Sequence, residues 1–165
     1  MEKLTAEFLK IEKGISVVEI LVAIAILGIA LTSLSALSSF SLKENMLTGE
    51  TAQANSLAQE TIEAARNFRD GTVWTTNGLG TLNVGAGNPY YPKKSGAPSV
   101  WTLAAGVEQS GIFTRKIIFD RVFRDANYNI SSSGTEDLNT RKVRAFVSWK
   151  DKKMELTTYL TNWRQ

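Results

Sequence analysis

One carboxylate stands near the start of the chain, where a charge is costly. Glu19 lies in an apolar segment, and an uncharged stretch follows it over residues 20–42. A carboxylate at the membrane core costs about 2.5–3.5 kcal/mol on insertion scales, and residues of this kind usually carry a function. Glu19 therefore needs a partner cation or a position near the membrane interface.

A second group of oxygen-bearing side chains lies between residues 125 and 136. Six of them follow the first, third, fifth, seventh, ninth and twelfth places of a calcium loop: Asp125, Asn127, Asn129, Ser131, Ser133 and Glu136. However, Ile130 stands where the sharp turn of such a loop needs Gly, and the flanking segments are typical of strands. An Asx- and Ser-rich connection between strands is the simpler interpretation. Calcium bound by Asp125, Asn127, Asn129 and Glu136 is the alternative, and no other cofactor is expected.

The residue types that are missing exclude several classes of site. The chain has no Cys, which excludes a disulfide, a thiolate zinc site and a cysteine nucleophile. It also has no His, which removes the commonest metal ligand and every Ser-His-Asp arrangement. Carboxylate chemistry stays open, but this composition favours a protein that is not an enzyme.

The uncharged stretch over residues 20–42 predicts a membrane-spanning helix. At ~1.5 Å per residue this stretch is long enough to cross a hydrocarbon core of ~30 Å. A cleaved secretory signal has a shorter apolar region, followed by a cleavage site of small residues. An ordinary signal-anchor helix is an alternative that length and hydropathy leave open.

The same helix is expected to run from about residue 16 to about residue 70. Apolar or small side chains recur there at three- and four-residue steps: Ala54, Leu57, Ala58, Thr61, Ile62, Ala65 and Phe68. This spacing predicts one apolar helix face that packs on a folded domain. Asp70 and Gly71 supply a stop, with Gly71 expected as a C-terminal cap.

Residues 71–110 change in character. They are rich in Gly, Asn, Thr and Ser and contain all three Pro of the chain, which predicts a long loop with one or two short strands. Trp74, Tyr90, Tyr91 and Trp101 lie in this region. These aromatic residues either fix the loop to a sheet or form a patch that binds sugars or another surface.

Three later segments alternate between apolar and polar residues. This period of two predicts half-buried strands at Ile112–Arg124, Lys142–Lys150 and Lys153–Trp163. The last two would be joined by a tight hairpin. The sequence therefore predicts an α+β fold, in which an antiparallel sheet of at least three strands covers the amphipathic part of one long helix.

The sequence GISVVE over residues 14–19, followed by a long apolar helix, resembles the prepilin peptidase signal of type IV pilins and type II secretion pseudopilins. The resemblance implies cleavage between Gly14 and Ile15 and N-methylation of the new Ile15 amine. It further implies that Glu19 pairs with the amine of a neighbouring subunit. Residues 57–70, LAQETIEAARNFRD, resemble the corresponding helix of minor pilins and minor pseudopilins.

The chain departs from the family pattern in three ways. Ile15 stands where the family often has Phe, and residues 1–14 have a balanced charge although the family's leader is usually basic. No Pro precedes Pro89, so the kink that many pilins carry in this helix has no evident cause here.

Elementary electrostatics agrees with the role that the resemblance implies for Glu19. Cleavage after Gly14 would create a cation at the helix start, about one turn from Glu19. Neutralisation between subunits would offset the desolvation of the carboxylate and could set the axial register. A carboxylate near a helix N-terminus also meets a favourable dipole.

The resemblance implies a domain organisation and a set of partners. Residues 1–14 would be a leader, 15–42 a transmembrane and filament-core helix, 43–70 an amphipathic helix half, and 71–165 a pilin-like globular domain of loop and sheet. The expected partners are prepilin peptidase, other pilin or pseudopilin subunits, an inner-membrane assembly platform and, before assembly, membrane lipid. The chain would cross the inner (cytoplasmic) membrane once, with its C-terminal domain outside the cytoplasm, and then enter a filament as a structural, minor subunit.

Basic residues in the later strands support a different class of function. They are Arg115, Lys116, Arg121, Arg124, Arg141, Lys142, Arg144, Lys150, Lys152 and Lys153. A filament-tip subunit for DNA uptake would use such residues on phosphates, and an adhesin would use the aromatic loop. Acidic residues are interleaved with these cations, so a solvated sheet edge protected by Lys is the simpler interpretation. A nucleic-acid partner stays open.

Overall fold

The computed structural model describes residue 14, residues 16–97 and residues 99–163. It contains one long helix, α1 (Val17–Gly71), and seven strands. The chain divides into two compact units, Met1–Leu47 and Thr48–Gln165. The first residues of α1 therefore belong to one unit and its remaining residues to the other.

In the first unit, α1 carries exposed apolar side chains along its length. Val17, Leu21, Ile29 and Leu37 are examples, each more than three-fifths exposed. This part of the helix is long and apolar enough to cross a membrane. The membrane-spanning length that the sequence predicts is thus present as continuous helix, which is compatible with anchoring by a single span.

In the second unit, one face of α1 packs on the sheet. The buried positions recur at three- and four-residue steps, as the sequence predicts: Ala54, Ala58, Thr61, Ile62, Ala64 and Ala65. Most of these side chains are small, so the helix backbone lies close to the strands. The polar side chains on the opposite face stay in solvent because the helix period of 3.6 residues separates the two faces.

All seven strands form one antiparallel sheet. Its central path runs β2-β1-β4-β6-β7, and β3 and β5 both pair with β4. The bounds are β1 (Tyr90–Ser95), β2 (Val100–Ala105), β3 (Glu108–Ser110), β4 (Phe113–Arg124), β5 (Ile130–Ser131), β6 (Thr135–Trp149) and β7 (Lys152–Thr161).

The predicted α+β fold, one long N-terminal helix on an antiparallel sheet, is confirmed. The three predicted strands correspond to β4, β6 and β7, and their alternation places Val143, Ala145, Val147 and Trp149 in the core. The predicted hairpin is also present, because Trp149 pairs with Lys152 across a two-residue turn.

Two regions predicted as loops contain more regular structure than expected. Residues 71–110 include β1, β2, β3 and a short 3₁₀ helix, Leu79–Thr81. The sequence predicts one or two short strands in this region but does not place them, because the hairpin of β1 and β2 lacks regular apolar alternation. The segment 125–136 likewise contains β5 and the first residues of β6.

The helix ends at the predicted place, but a side-chain hydrogen bond caps it in place of the predicted glycine cap. Gly71 is the last residue of α1, and its backbone is not in the left-handed region that a glycine cap uses. Instead, the Thr72 hydroxyl donates a hydrogen bond of 2.6 Å to the Phe68 carbonyl. A side chain therefore satisfies one of the terminal carbonyls of the helix.

The core lies between α1 and the sheet. Its two clusters bring together side chains far apart in sequence: Ile62, Ala65, Trp74, Leu79, Ile117, Phe119, Val143, Ala145 and Leu160 in one, and Ala54, Ala58, Phe113, Val147 and Trp149 in the other. Trp74 also fixes the loop after α1, because its indole Nε1 donates to the Leu138 carbonyl at 3.0 Å.

Candidate processing and assembly site

The start of α1 is built by Ser16. Gly14 is exposed and not helical, Ile15 lies outside the described residues, and the helix begins directly after Ser16. The Ser16 hydroxyl accepts a hydrogen bond of 3.3 Å from the Val18 N–H. The Ser16 carbonyl accepts hydrogen bonds from the N–H groups of Glu19 and Ile20, at 2.9 and 3.2 Å. Ser16 is therefore the N-cap residue.

The role of Ser16 was missed by sequence reasoning, although a local signal was available. Ser16 and Glu19 have the Ser-x-x-Glu spacing of a capping box, which typically opens a helix just before an apolar run. The spacing places Glu19 at the third helical position, in the first turn. A carboxylate there is stabilised by the partial positive charge of the helix N-terminus.

Glu19 is exposed and surrounded along the helix by exposed apolar side chains. Its neighbours Val18 and Ile20 are 66 % and 48 % exposed. Within the described part of the chain, Glu19 forms no ion pair. The carboxylate is thus held at the helix start by backbone geometry, and any compensating cation has to come from the undescribed residues or from another molecule.

Hydroxyl groups further along the apolar segment bond to the helix itself. Each donates to a carbonyl one turn earlier, at distances of 2.8 to 3.1 Å: Thr32, Ser33, Ser35, Ser38 and Ser39. In an apolar medium an unsatisfied polar group costs several kcal/mol. These local bonds make the segment suitable for lipid or for the interior of a helix assembly.

The loop proposed to bind calcium is organised by Asp125. One oxygen of its carboxylate accepts hydrogen bonds from the N–H groups of Asn127 and Asn129, at 2.8 and 2.9 Å. These bonds, led by that from Asn129, lower the pKa of Asp125. Glu136 lies on β6, where it faces Arg121 at 3.6 Å. The loop therefore has the Asx-turn geometry of a strand connection.

Acidic residues near this loop do not form a metal centre by themselves. Among the described residues, no group of three or more His, Cys, Asp or Glu side chains is placed to hold a metal ion. Calcium binding by Asp125, Asn127, Asn129 and Glu136 stays a hypothesis.

The four aromatic residues considered as a binding patch are distributed over different environments. Trp74 is buried, and Tyr90 packs edge-on against Phe119 with ring centroids 5.7 Å apart. Trp101 is half-buried beneath Lys94, whose ammonium lies 4.6 Å from the ring centroid. At least Trp74 and Tyr90 therefore serve to fix the loop to the sheet.

Several of the basic residues are engaged inside the domain. Arg115 is buried and forms ion pairs with Glu60 of α1 and Glu108 of β3. Arg141 is buried against the 3₁₀ helix, where it donates to the Gly80 carbonyl at 3.4 Å, and burial lowers its pKa. These cations hold elements together and are not available to a ligand.

Comparisons with known proteins identify no relative: no family model, curated protein or solved structure matches this chain. The functional inference rests on the residues at the start of α1 and on the layout of helix and sheet.

Proposed function

We propose that this protein is a minor structural subunit of a filament of the type IV pilus or type II secretion pseudopilus class. The subunit is anchored in the inner membrane by the first part of α1 and processed after Gly14. It then enters an extracytoplasmic filament through packing of the same helix. Its partners are prepilin peptidase, other pilin or pseudopilin subunits and the assembly platform.

The observation that carries this proposal is Glu19 in the first turn of α1, directly before an exposed apolar segment, residues 20–42, that has no other charge. A plain membrane anchor gains nothing from a carboxylate at this position, which is costly in lipid. A helix that packs beside identical or related helices does benefit from such a carboxylate. A cation on the neighbouring helix can neutralise it in only one axial alignment, so the charge selects that alignment. The exposed, non-helical Gly14 five residues earlier is where a peptidase would reach the backbone.

Processing supplies the missing cation. Hydrolysis of the Gly14–Ile15 peptide bond adds water across it and leaves a carboxylate on Gly14 and an amine on Ile15. In the sequence, this new amine comes two residues before the first residue of α1, Val17, and four residues before Glu19. In the assembly it pairs with Glu19 of a neighbouring subunit, so that two charges enter an apolar environment as one neutral pair.

The layout of α1 suits both environments that this pathway requires. Its apolar side chains are matched to lipid before assembly and to other apolar helices afterwards. Its hydroxyl groups bond to the helix backbone and so need no partner in either environment. The second part of α1 is held on the sheet, so filament entry leaves the folded domain intact.

Intact-mass measurement of the membrane-expressed protein tests the proposal. We expect co-expression with prepilin peptidase to remove residues 1–14 and to add one methyl group at Ile15. The variant Gly14→Val should keep its full mass because a β-branched residue crowds the scissile bond. The matched variant Gly49→Val, at an exposed helical glycine far from the cut, should be processed normally.

Two results would overturn the proposal. One is an unchanged mass of the wild-type chain in the presence of an active peptidase. The other is cleavage after residue 42, which would identify the apolar segment as a removable signal. Either result would leave a plain membrane anchor or a secreted domain.

A further inference from the structure

The sheet has a second face, turned away from α1, that carries cations along its whole length. We call it the outer face and define it by four cross-strand rows of β4, β6 and β7. In order along the strands these rows are Thr114–Ser148–Lys153, Lys116–Phe146–Glu155, Ile118–Arg144–Thr157 and Asp120–Lys142–Tyr159. Each row contributes one cation.

The two carboxylates of the outer face, Asp120 and Glu155, both form ion pairs with one arginine. Arg144 donates to Asp120 at 2.6 Å and faces Glu155 at 3.8 Å. These contacts raise the pKa of Arg144, mainly through the hydrogen bond to Asp120. Asp120 and Glu155 therefore both pair with Arg144, and neither forms a salt bridge with a lysine of the outer face.

Three lysines of the outer face consequently lack a carboxylate partner. Lys116, Lys142 and Lys153 form no salt bridge within the described part of the chain. Two of them are held over Phe146: the ammonium groups of Lys116 and Lys153 lie 5.8 and 4.5 Å from its ring centroid. The attraction between cations and the ring face offsets part of the repulsion between the cations themselves.

A groove beside the fourth row adds an aromatic surface to this charge. The groove has a volume of about 510 Å³ and is lined by Lys142, Arg144, Tyr159, Ser131 and Ser132, among others. The Tyr159 side chain is accessible, since the residue is 42 % exposed. Phe146 is only 5 % exposed under its cations, so Tyr159 is the ring on this face that a ligand can reach.

We infer that the outer face binds single-stranded nucleic acid. Successive rows are two residues apart, so four rows extend over roughly 20 Å at ~3.4 Å per residue. A strand laid along them would place phosphates on Lys116, Lys142 and Lys153 and stack one base on Tyr159 in the groove. Combining a basic track with an aromatic platform is the general mode of single-strand binding.

A second copy of this chain is a poorer occupant of the outer face. The four acidic residues of α1 in the folded unit are already paired: Glu50 with Lys150, Glu60 with Arg115, Glu63 with Arg66 and Asp70 with Arg69. An acidic polypeptide would neutralise the lysines, but only a chain of bases also offers a flat ring at each step to stack on Tyr159. Nucleic acid uses both features, and for that reason we favour it.

The inference concerns the folded unit and does not depend on processing after Gly14. It is tested with the full chain in nanodiscs of zwitterionic lipid, which do not compete for cations. The probe is a fluorescein-labelled oligothymidylate of about 12 nucleotides, within the size range that single-strand binding modules cover. Fluorescence anisotropy gives the dissociation constant at several salt concentrations.

Two sets of variants separate charge from stacking. Replacing Lys116, Lys142 and Lys153 by Gln should weaken binding and make the plot of log affinity against log salt shallower by about 2, since each phosphate contact contributes ~0.7 for single strands. Tyr159→Leu should weaken binding about fivefold or more at an unchanged salt slope, whereas Tyr159→Phe should bind like the wild type.

A matched triple variant, Lys43→Gln, Lys94→Gln and Lys152→Gln, removes the same charge from exposed positions outside the four rows and should retain the wild-type salt slope. Absence of probe binding at low salt would overturn the inference. So would equal loss in both triple variants, equal affinity for polyglutamate, or a Tyr159→Leu variant that binds like the wild type. Tighter binding to duplex than to single strand would overturn it as well.

Discussion

At the level of single residues, two carboxylates of this protein lie in opposite surroundings. Asp137 is largely buried and accepts hydrogen bonds from Arg124 at 2.6 Å, from the Thr140 hydroxyl at 2.8 Å and from the Asn139 N–H at 3.0 Å. Glu19 is exposed on an apolar helix and has no cation partner among the described residues. Asp137 stabilises this fold, whereas the partner that we propose for Glu19 belongs to another molecule.

The role proposed for Glu19 predicts a separation between processing and assembly. The variant Glu19→Ala should still lose residues 1–14 but should enter filaments much less than the wild type, because the Ile15 amine of a neighbour would be buried without a counter-charge. Pelleting of sheared filaments followed by immunoblotting measures incorporation. Glu44→Ala removes an exposed acid beyond the apolar stretch and serves as the control, with normal incorporation expected. Normal incorporation of Glu19→Ala would contradict the pairing.

Asp137 predicts a dependence of stability on pH. Burial alone would raise the pKa of Asp137, but its hydrogen bonds to Arg124, Thr140 and Asn139 outweigh burial and lower the pKa below its ordinary value of 3.8. Because the folded pKa is the lower one, the carboxylate stabilises the fold above pH 3.8, and this contribution is lost as the pH falls through the folded pKa.

The variant Asp137→Asn should therefore lower the free energy of unfolding by about 1–3 kcal/mol at neutral pH, the usual worth of hydrogen bonds to a charged group. The difference from the wild type should shrink in acid. Urea unfolding of the full chain in non-ionic detergent measures both effects. Asp151→Asn, at an exposed hairpin turn, is the matched control and should change stability by less than about 0.5 kcal/mol. A difference that stays constant with pH would show that the charge of Asp137 is not the cause.

At the level of elements, α1 is the clearest case of a structure that local pattern determines. Its predicted bounds, 16 to 70, differ by one residue at each end from those observed, because hydrophobicity and helix period are carried by neighbouring residues. Strands β1 and β2 were not resolved from the surrounding loop. The two strands pair with each other in a hairpin, and this hairpin joins the rest of the sheet where Tyr90 pairs with Ile117 of β4.

The close contact between α1 and the sheet predicts a cost for enlarging a small helix residue. Ala58 is fully buried and packs in the same cluster as Phe113 and Trp149. Ala58→Leu should lower the free energy of unfolding by about 1–3 kcal/mol through overpacking. Ala52→Leu, on the exposed side of the same helix, should change stability little. Similar stabilities of the two variants in urea unfolding would refute this packing.

At the level of the whole molecule, the chain combines a unit that has its own core with an apolar helical segment whose side chains are exposed. The unit Thr48–Gln165 contains both core clusters and all seven strands, whereas the described residues of Met1–Leu47 bury no core residue. Burial of apolar side chains is the main stabilising contribution to folding. The stability of the protein therefore resides in the second unit, and the first needs an apolar environment.

This division predicts the behaviour of a truncated chain. Residues 48–165 should be soluble and monomeric without detergent and should unfold in one cooperative transition. The full chain should need detergent to stay in solution, because its apolar helix surface is otherwise exposed to water. Size-exclusion chromatography and thermal circular dichroism measure these properties. Aggregation of the truncated chain, or a full chain that is soluble without detergent, would contradict the division.

By itself the sequence determined the span of α1, its apolar face, the three longest strands and the unusual position of Glu19. Each of these depends on residue types at short, regular spacing. Such a pattern can be recognised in the sequence without knowledge of the fold. The hypothesis of processing after Gly14 has the same local origin. The cap at Ser16 was available in the same way, from its spacing to Glu19.

Only the tertiary structure decided which charges remain unpaired. Arg144 and Asp120 are 24 residues apart, and Lys150 and Glu50 are 100 residues apart, yet each pair is in contact. In the sequence, acids and bases of the later strands are interleaved and suggest mutual neutralisation. In the sheet, side chains alternate between two faces and the strands pair in a defined register. As a result, Asp120 and Glu155 on the outer face both pair with Arg144. Within the described part of the chain, Lys116, Lys142 and Lys153 are left without carboxylate partners on the face that also carries Tyr159, because strand pairing, which no local pattern encodes, sets those neighbours.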